Sequence, residues 1–386
     1  MTAIRHIVYE CVPGAYAGGV QKMVYELAFA QRQLGADVEV WAPDAIRAGS
    51  TEDFEGLPIR YFYPEPLFGL ARSRRLGRAV LNLPVGSVVH AHNSFHPLDL
   101  QVGRAARSSG LRAYYHTHGA FDPVLFSGQS FKSLKKRIHL RFFTRPNLNA
   151  GAGIFALTSF ERDQLALLGI DKRVHVIPNG IRPVQAASLA AGQGLRAKHG
   201  IPSEASAILF VGRITPKKRL EHIIEAVSIL GAAAPHLLIA GCPKVEPLYA
   251  AELTRCALRH GVSGQIHWLG FLDEQAKAAA YVAADIFVHA SESEGMALAI
   301  LEAMDAGLPV VATRGCYMSD AAASAALVEC EQGAAALAKA LAPLVSDPHR
   351  AHVQGTAGRA YVRKEHAWSA IAAETLKIYA EGASPS

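Results

Sequence analysis

Short apolar runs alternate with helical patterns along almost the whole chain, and this alternation constrains the fold more than any other feature. The strand-like runs are 4–11, 37–42, 87–91, 111–116, 153–157 and 174–177 in the first half, and 207–211, 237–240, 265–269, 285–288 and 309–312 in the second. Runs that are apolar on both faces belong to parallel sheets with helices packed on each side. The expected class is therefore α/β, with two doubly wound, Rossmann-like domains. A turn signal, Pro178-Asn179-Gly180-Ile181, and an Ala- and Gly-rich stretch from Pro183 to Gly194 separate the two series. These features place one domain at 1–182 and a second at 183–365, and imply a cleft between them. The closing segment, 366–386, is amphipathic from His366 to Tyr379 and is expected to form a helix. A chain of 386 residues has material for two ordinary cores.

Hydrophobic residues make up 50% of the chain and charged residues 19%, a globular balance. No apolar run reaches the ~18 residues of a membrane span. Met1 to Tyr9 reads as a strand and lacks the apolar core and cleavage site of a signal peptide. The five cysteines, Cys11, Cys242, Cys256, Cys316 and Cys330, are odd in number and scattered, with no C-x-x-C pair. They argue against a disulfide framework or cysteine zinc site and fit a reducing cytoplasm. A net charge of +6 suggests an acidic partner: a nucleotide, a diphosphate lipid or an anionic membrane face. Charge alone leaves nucleic acid open.

The most informative stretch runs from Ser291 to Met304. An apolar strand precedes it, Gly307 and Pro309 stop the helix it opens, and its polar loop lies at the carboxyl end of a strand, where such sheets bind ligands. The amides of about residues 295–298 are expected to point outward at the helix start, an end that favours an anion. Glu294 and Glu302 are eight positions apart. On one helix they would lie ~12 Å apart along the axis, whereas two carboxylates cutting a glycosidic bond sit roughly 5–9.5 Å apart. The pair reads as two grips on a long ligand. The bland alternative is a helix-start charge and a solvated one.

Elsewhere the signals are weaker. Val12 to Val20 is a βα turn containing Gly18 and Gly19, and it is not a G-x-G-x-x-G fingerprint. Arg213 and Lys218 flank another βα turn, whose helix is expected to begin near Lys217, and place two cations where a diphosphate could sit. The pairs His90/His92 and His116/His118 end two strands, each pair facing one side. Four histidines could be structural or could hold a metal, although no carboxylate clearly completes a ligand set. Asn93 is a neighbouring acceptor-side candidate. Phe131, Leu134, Ile138 and Phe142 form a helical stripe among six cations between 131 and 145. Such a helix docks on its own domain or lies on an anionic membrane. Arg72, Arg74, Arg75 and Arg78 form a second basic cluster.

Glu294-Gly295 followed by Glu302-Ala303-Met304-x-Ala306-Gly307-x-Pro309-Val310-Val311 resembles the E-x7-E segment of retaining family 4 glycosyltransferases. Gly212-Arg213 through Lys218 resembles the family's G-R-x-x-x-x-K motif, with Arg219 where Gly is common. Gly18-Gly19-Val20 resembles its glycine-rich loop, and Gly270-Phe271-Leu272-Asp273 its nucleotide-base region. The resemblance covers nearly the whole chain. It implies a GT-B fold with an acceptor-binding first domain, a nucleotide-sugar-binding second domain, and a last helix that crosses back onto the first.

The implied enzyme moves a sugar, with retention, from GDP-mannose or a UDP-sugar to a glycan or lipid-linked acceptor. Bacterial polysaccharide or glycolipid synthesis at the inner membrane face is the implied setting. Gly18, Gly19, Arg213, Lys218 and Gly295 would meet the diphosphate, with Met296 and Ala297 near the sugar in place of the family's aromatic and Gly. Glu302 would hold the ribose, Glu294 the sugar hydroxyls, and His118 the sugar–acceptor junction. No metal cofactor is expected. Two other readings compete: a histidine-site metal hydrolase, and a non-catalytic basic module for membrane or nucleic acid. The ordered motifs argue against the last, and nucleic acid is not an expected partner.

Overall fold

In the central strands nearly every side chain is buried, because both faces of each sheet are covered. A computed structural model describes residues 2–11, 19–67, 70, 72–92, 94–123, 126, 131–170, 172–231 and 234–382. The chain divides into two units, Met1–Gly180 with Ala367–Ser386, and Ile181–His366.

The first unit holds β1 (Ala3–Ile7), β2 (Asp37–Pro43), β3 (Thr51–Phe54), β4 (Leu57–Phe62), β5 (Val88–Ala91), β6 (Arg112–His116), β7 (Gly153–Ala156) and β8 (Val174–Val176). Their order across the sheet is β3-β4-β2-β1-β5-β6-β7-β8. All neighbours are parallel except β3 and β4. That hairpin corrects the expectation of a purely parallel sheet. Its two turn residues, Glu55 (φ 52°) and Gly56 (φ 87°), are both left-handed, as a two-residue hairpin turn with the right twist requires. The polar run Thr51-Glu52-Asp53 hid the strand. Ile4 and Val8 pack into one core with Met23, Leu27, Ile371 and Tyr379, and Ile7 packs into the other with Leu98, Val102 and Ile154. Helix Trp368–Glu381 thus belongs to the first unit, packed on helix Gly19–Gln33.

The second unit is an all-parallel sheet of β9 (Ala207–Val211), β10 (His236–Ala240), β11 (Ile266–Gly270), β12 (Ile286–His289), β13 (Val310–Thr313) and β14 (Val328–Cys330), ordered β11-β10-β9-β12-β13-β14. Ile208 and Phe210 enter the core of one face, and Ala207 and Leu209 that of the other. Three residues of edge strand, β14, escaped the sequence reading. All five cysteines are free thiols.

The basic stretch differs from expectation in two ways. It is not one α-helix: Phe131–His139 passes into a π-helical turn, Leu140–Thr144, and then into Arg145–Asn149. Three residues of the periodic stripe also face outward. Leu134 (46%), Ile138 (48%) and Phe142 (63%) are exposed, while Ser133, Leu140, Thr144 and Leu148 are buried.

Candidate active site

In the second unit the candidate residues gather where β9 and β12 end. After β9 comes a 3-10 turn, Pro216–Lys218, and the α-helix starts only at Leu220, later than the expected Lys217. Between them Arg219 takes a left-handed conformation, φ 48° and ψ 44°, which costs a residue with a Cβ roughly 1–2 kcal/mol. Its guanidinium pairs with Glu292 and, at 3.3 Å, with Glu221.

After β12, residues 290–297 form an irregular loop, and helix Leu298–Ala306 follows with Ala297 as its N-cap. The helix starts later than expected, after Gly295, Met296 and Ala297, and Glu294 lies in the loop, as expected. The loop is pinned from two sides. The Glu292 amide donates to the Lys217 carbonyl (3.0 Å). The Ser291 carbonyl accepts from Thr313 Oγ1 (2.9 Å) and Gln332 Nε2 (2.6 Å). A Cβ on Gly315 would stand 2.3 Å from the Glu292 carbonyl oxygen, so only glycine allows this approach.

Two carboxylate centres result. Lys218 Nζ pairs with Glu294. The Ser291 hydroxyl donates to the same carboxylate oxygen at 2.5 Å, and His289 Nε2 lies 3.4 Å from it. Burial alone would push the Glu294 carboxyl up. The hydrogen bond from His289 and the Lys218 charge outweigh burial and hold it well below the usual carboxylate range. Burial, then the Lys218 charge, push His289 below its ordinary value.

The second centre is Glu302, nearly buried at 8% exposure. Lys277 Nζ pairs with Glu302 Oε2 at 2.9 Å and the Tyr281 hydroxyl donates to it at 3.0 Å. Burial opposes the Lys277 charge, yet Glu302 more than offsets it and raises the ammonium above its ordinary value. Lys277 and Tyr281 lie on helix Glu274–Ala283, one turn apart. Sequence reasoning missed them, and the i, i+4 spacing alone did not mark them. Arg213 is exposed and makes no hydrogen bond or ion pair among the described residues.

In the first unit Gly19 opens helix Gly19–Gln33, and an added Cβ there would meet nothing within 4 Å. Gly18 and Asn93 lie outside the described residues. The histidine pairs prove to be part of a larger row. His6, which the sequence reading passed over, is the register partner of His90 in the parallel β1–β5 pair. His90 and His92 stack at 4.0 Å, and His116 and His118 at 4.2 Å between ring centroids. His118 has a left-handed backbone (φ 51°) and is half-buried, while the other four are buried. Desolvation lowers His6 to about 4 and His118 to about 3. It holds His90, His92 and His116 well below the ordinary value, with mutual repulsion adding to it.

Ligand atoms of His92, His116 and His118 lie within 4.8 Å of one another, as do those of His6, His90 and His92. Two nitrogens on one tetrahedral zinc, at ~2.0–2.1 Å each, stand about 3.3 Å apart. His6 Nδ1 and His92 Nε2 are 2.7 Å apart, a hydrogen-bond distance. Among the described residues no carboxylate joins either trio.

Against known families, residues 18–180 match the glycosyl transferase 4-like domain and residues 193–361 match the glycosyl transferases group 1 domain. The chain is 33% identical over 394 residues to D-inositol 3-phosphate glycosyltransferase 2 of Catenulispora acidiphila, covering 94% of this chain and 90% of that one. This chain is a group 1 glycosyltransferase of the family 4 type. It is also 28% identical over 385 residues to phosphatidyl-myo-inositol mannosyltransferase of Mycolicibacterium smegmatis, with 94% and 90% coverage. Among solved structures, Anabaena HepE in complex with UDP and glucose superposes with a TM-score of 0.78 at 18% identity, covering 99% of this chain and 100% of that one. The fold of this glycosyltransferase is GT-B.

Proposed function

We propose that this glycosyltransferase moves a sugar, with retention of anomeric configuration, from a nucleoside-diphosphate donor to a glycan or lipid-linked acceptor. The donor reads as GDP-mannose or a UDP-sugar, and the setting as polysaccharide or glycolipid synthesis. We assign the nucleotide sugar to the second unit and the acceptor to the first. The names of the mannosyl- and inositol-phosphate transferases among its relatives extend the acceptor class to anionic polyols, which the net charge of +6 also suits.

The observation that carries this reading is the Lys218–Glu294 pair at the carboxyl ends of β9 and β12. Glu294 stays ionised and bound to Lys218, so it suits gripping donor hydroxyls better than attacking the anomeric carbon. With no carboxylate assigned as nucleophile, the acceptor oxygen attacks the face the leaving group departs from. The C1–O bond to phosphate breaks, the C1–O bond to the acceptor forms, and a donor phosphate oxygen takes the acceptor proton. Lys218 and Arg213 stabilise the charge that develops on the diphosphate, helped by the amides at Gly18, Gly19 and the start of the helix at Leu298. No metal is required for this step. Glu302, held by Lys277 and Tyr281, accepts from the ribose hydroxyls. Met296 and Ala297 border the sugar, and His118 meets it at the junction with the acceptor.

Lys218→Ala and Glu302→Ala should each slow transfer by about two or more orders of magnitude while circular dichroism shows the fold intact. Near-wild-type turnover of GDP-mannose or UDP-sugars in both variants would refute the assignment. Metal analysis and chelator treatment separate it from the hydrolase reading, which needs stoichiometric zinc. The outward Leu134, Ile138 and Phe142, beside exposed Lys135, Arg137 and Arg141, support contact with an anionic membrane surface.

A further inference from the structure

A hydrogen-bonded row runs from the last helix to His118, and its polarity is fixed at the far end. Thr375 Oγ1 donates its one proton to the Ala372 carbonyl at 2.8 Å. It must therefore accept from Gln31 Nε2, 2.8 Å away. This turns the Gln31 carbonyl oxygen toward His6 Nε2, also at 2.8 Å. A carbonyl only accepts, so His6 carries its proton on Nε2. His6 is fully buried and neutral, which leaves Nδ1 bare. His92 Nε2, at 2.7 Å, must then donate to it. The same step repeats: neutral His92 has a bare Nδ1, and His118 Nε2 donates to it across 3.1 Å. His118 is left with a bare Nδ1, which makes no hydrogen bond among the described residues. Every residue of this row belongs to the first unit.

We propose that Gln31 and His6, remote from the reacting atoms, are positioning residues that lock His118 in the Nε2–H tautomer. Its bare Nδ1 then accepts a hydrogen bond from a hydroxyl of the transferred sugar. A bare lone pair repels phosphate oxygens and rewards a hydroxyl proton, so His118 selects for a sugar hydroxyl and takes no part in binding the diphosphate. This rests on the reading that His118 meets the sugar. The row also gives the histidines a use that competes with metal binding, because each link spends a nitrogen lone pair.

The test is long-range proton–nitrogen NMR of the full chain labelled with 15N-histidine, at neutral pH. His118 should show a protonated Nε2 and an unprotonated Nδ1. An Nδ1–H form, an imidazolium, or a spectrum altered by a chelator would overturn the proposal. Gln31→Leu removes the anchor at similar volume and should release His118 into both tautomers. Its kcat should fall roughly fivefold, the worth of about one neutral hydrogen bond, with donor KM little changed. An unchanged His118 spectrum in Gln31→Leu would also overturn the proposal. Should the wild-type chain turn over no nucleotide sugar, the functional reading fails while the spectrum still reports the tautomer.

Discussion

Arg219 holds a backbone conformation that glycine adopts without strain, and its side chain pairs with two glutamates. Arg219→Ala loses the pairs and keeps the strain, whereas Arg219→Gly loses both. The Gly variant should therefore be the more stable of the two by about 1 kcal/mol in urea unfolding, and equal midpoints would mean the position is unstrained. Glu294 sets an acid limit. Its folded-state value is depressed, so its contribution is complete above the ordinary glutamate pKa of about 4.3 and declines as pH falls below that. Glu294→Gln should flatten the acid side of the stability curve below about pH 4.3, as read by denaturant midpoints across pH. At this scale the spacing of Glu294, Glu302 and Lys218 was legible in the sequence. Their holders were not. Lys277, Tyr281 and Gln332 there, and His6 and Gln31 behind His118, act through contacts made by the fold, which the sequence pattern does not mark.

At the scale of elements, central strands were legible because burial on both faces writes a continuous apolar run. β3 and β14 were missed because strands at a sheet edge can be polar, whereas β4 is apolar at Leu57, Ile59, Tyr61 and Phe62 and its run is broken by Pro58 and Arg60. Helix starts were the other error. Pro216–Lys218 and the loop 290–297 delay two helices by several residues, and those delays bring Lys218 and Glu294 together. The basic stretch was read correctly as amphipathic, but periodicity does not say which face turns outward. Here the apolar face does, with Phe142 at 63% exposure. Replacing Phe142 with Ser should weaken binding to vesicles containing anionic lipid without lowering the melting temperature, since Phe142 is not in a core. Co-sedimentation at low and high salt checks this, and binding should weaken as salt screens the cations. Equal binding by variant and wild type would remove this helix from the membrane reading.

At the scale of the molecule, the two sheets differ in how they carry protons. The first unit keeps His6, His90, His92, His116 and His118 neutral inside, all with lowered values. Unfolding frees them to protonate near the ordinary value of about 6.5. The unfolded chain thus binds more protons below that pH, and stability falls as pH drops from about 6.5 toward 4, by up to about 1.4 kcal/mol per pH unit for each histidine. Calorimetry at pH 7.5 and 5.5 should show the first unit's transition moving down more than the second's. Parallel shifts would refute this. Fragments test the division itself: 181–366 should fold alone, while 1–180 should need 367–382 supplied in trans, because Tyr379 hydrogen-bonds His90 and Thr375 holds Gln31.

Helix Trp368–Glu381 comes last in the chain and completes the unit that comes first. A ribosome delivers residues from the N-terminus onward, so the opening half emerges long before its closing piece has been translated. Until then the core on one face of its histidine-bearing sheet lacks Trp368, Ile371 and Tyr379, and the whole second unit is translated in between. The first unit can therefore close its core only after the second has been translated, and until then the apolar surface it leaves open is a site for aggregation.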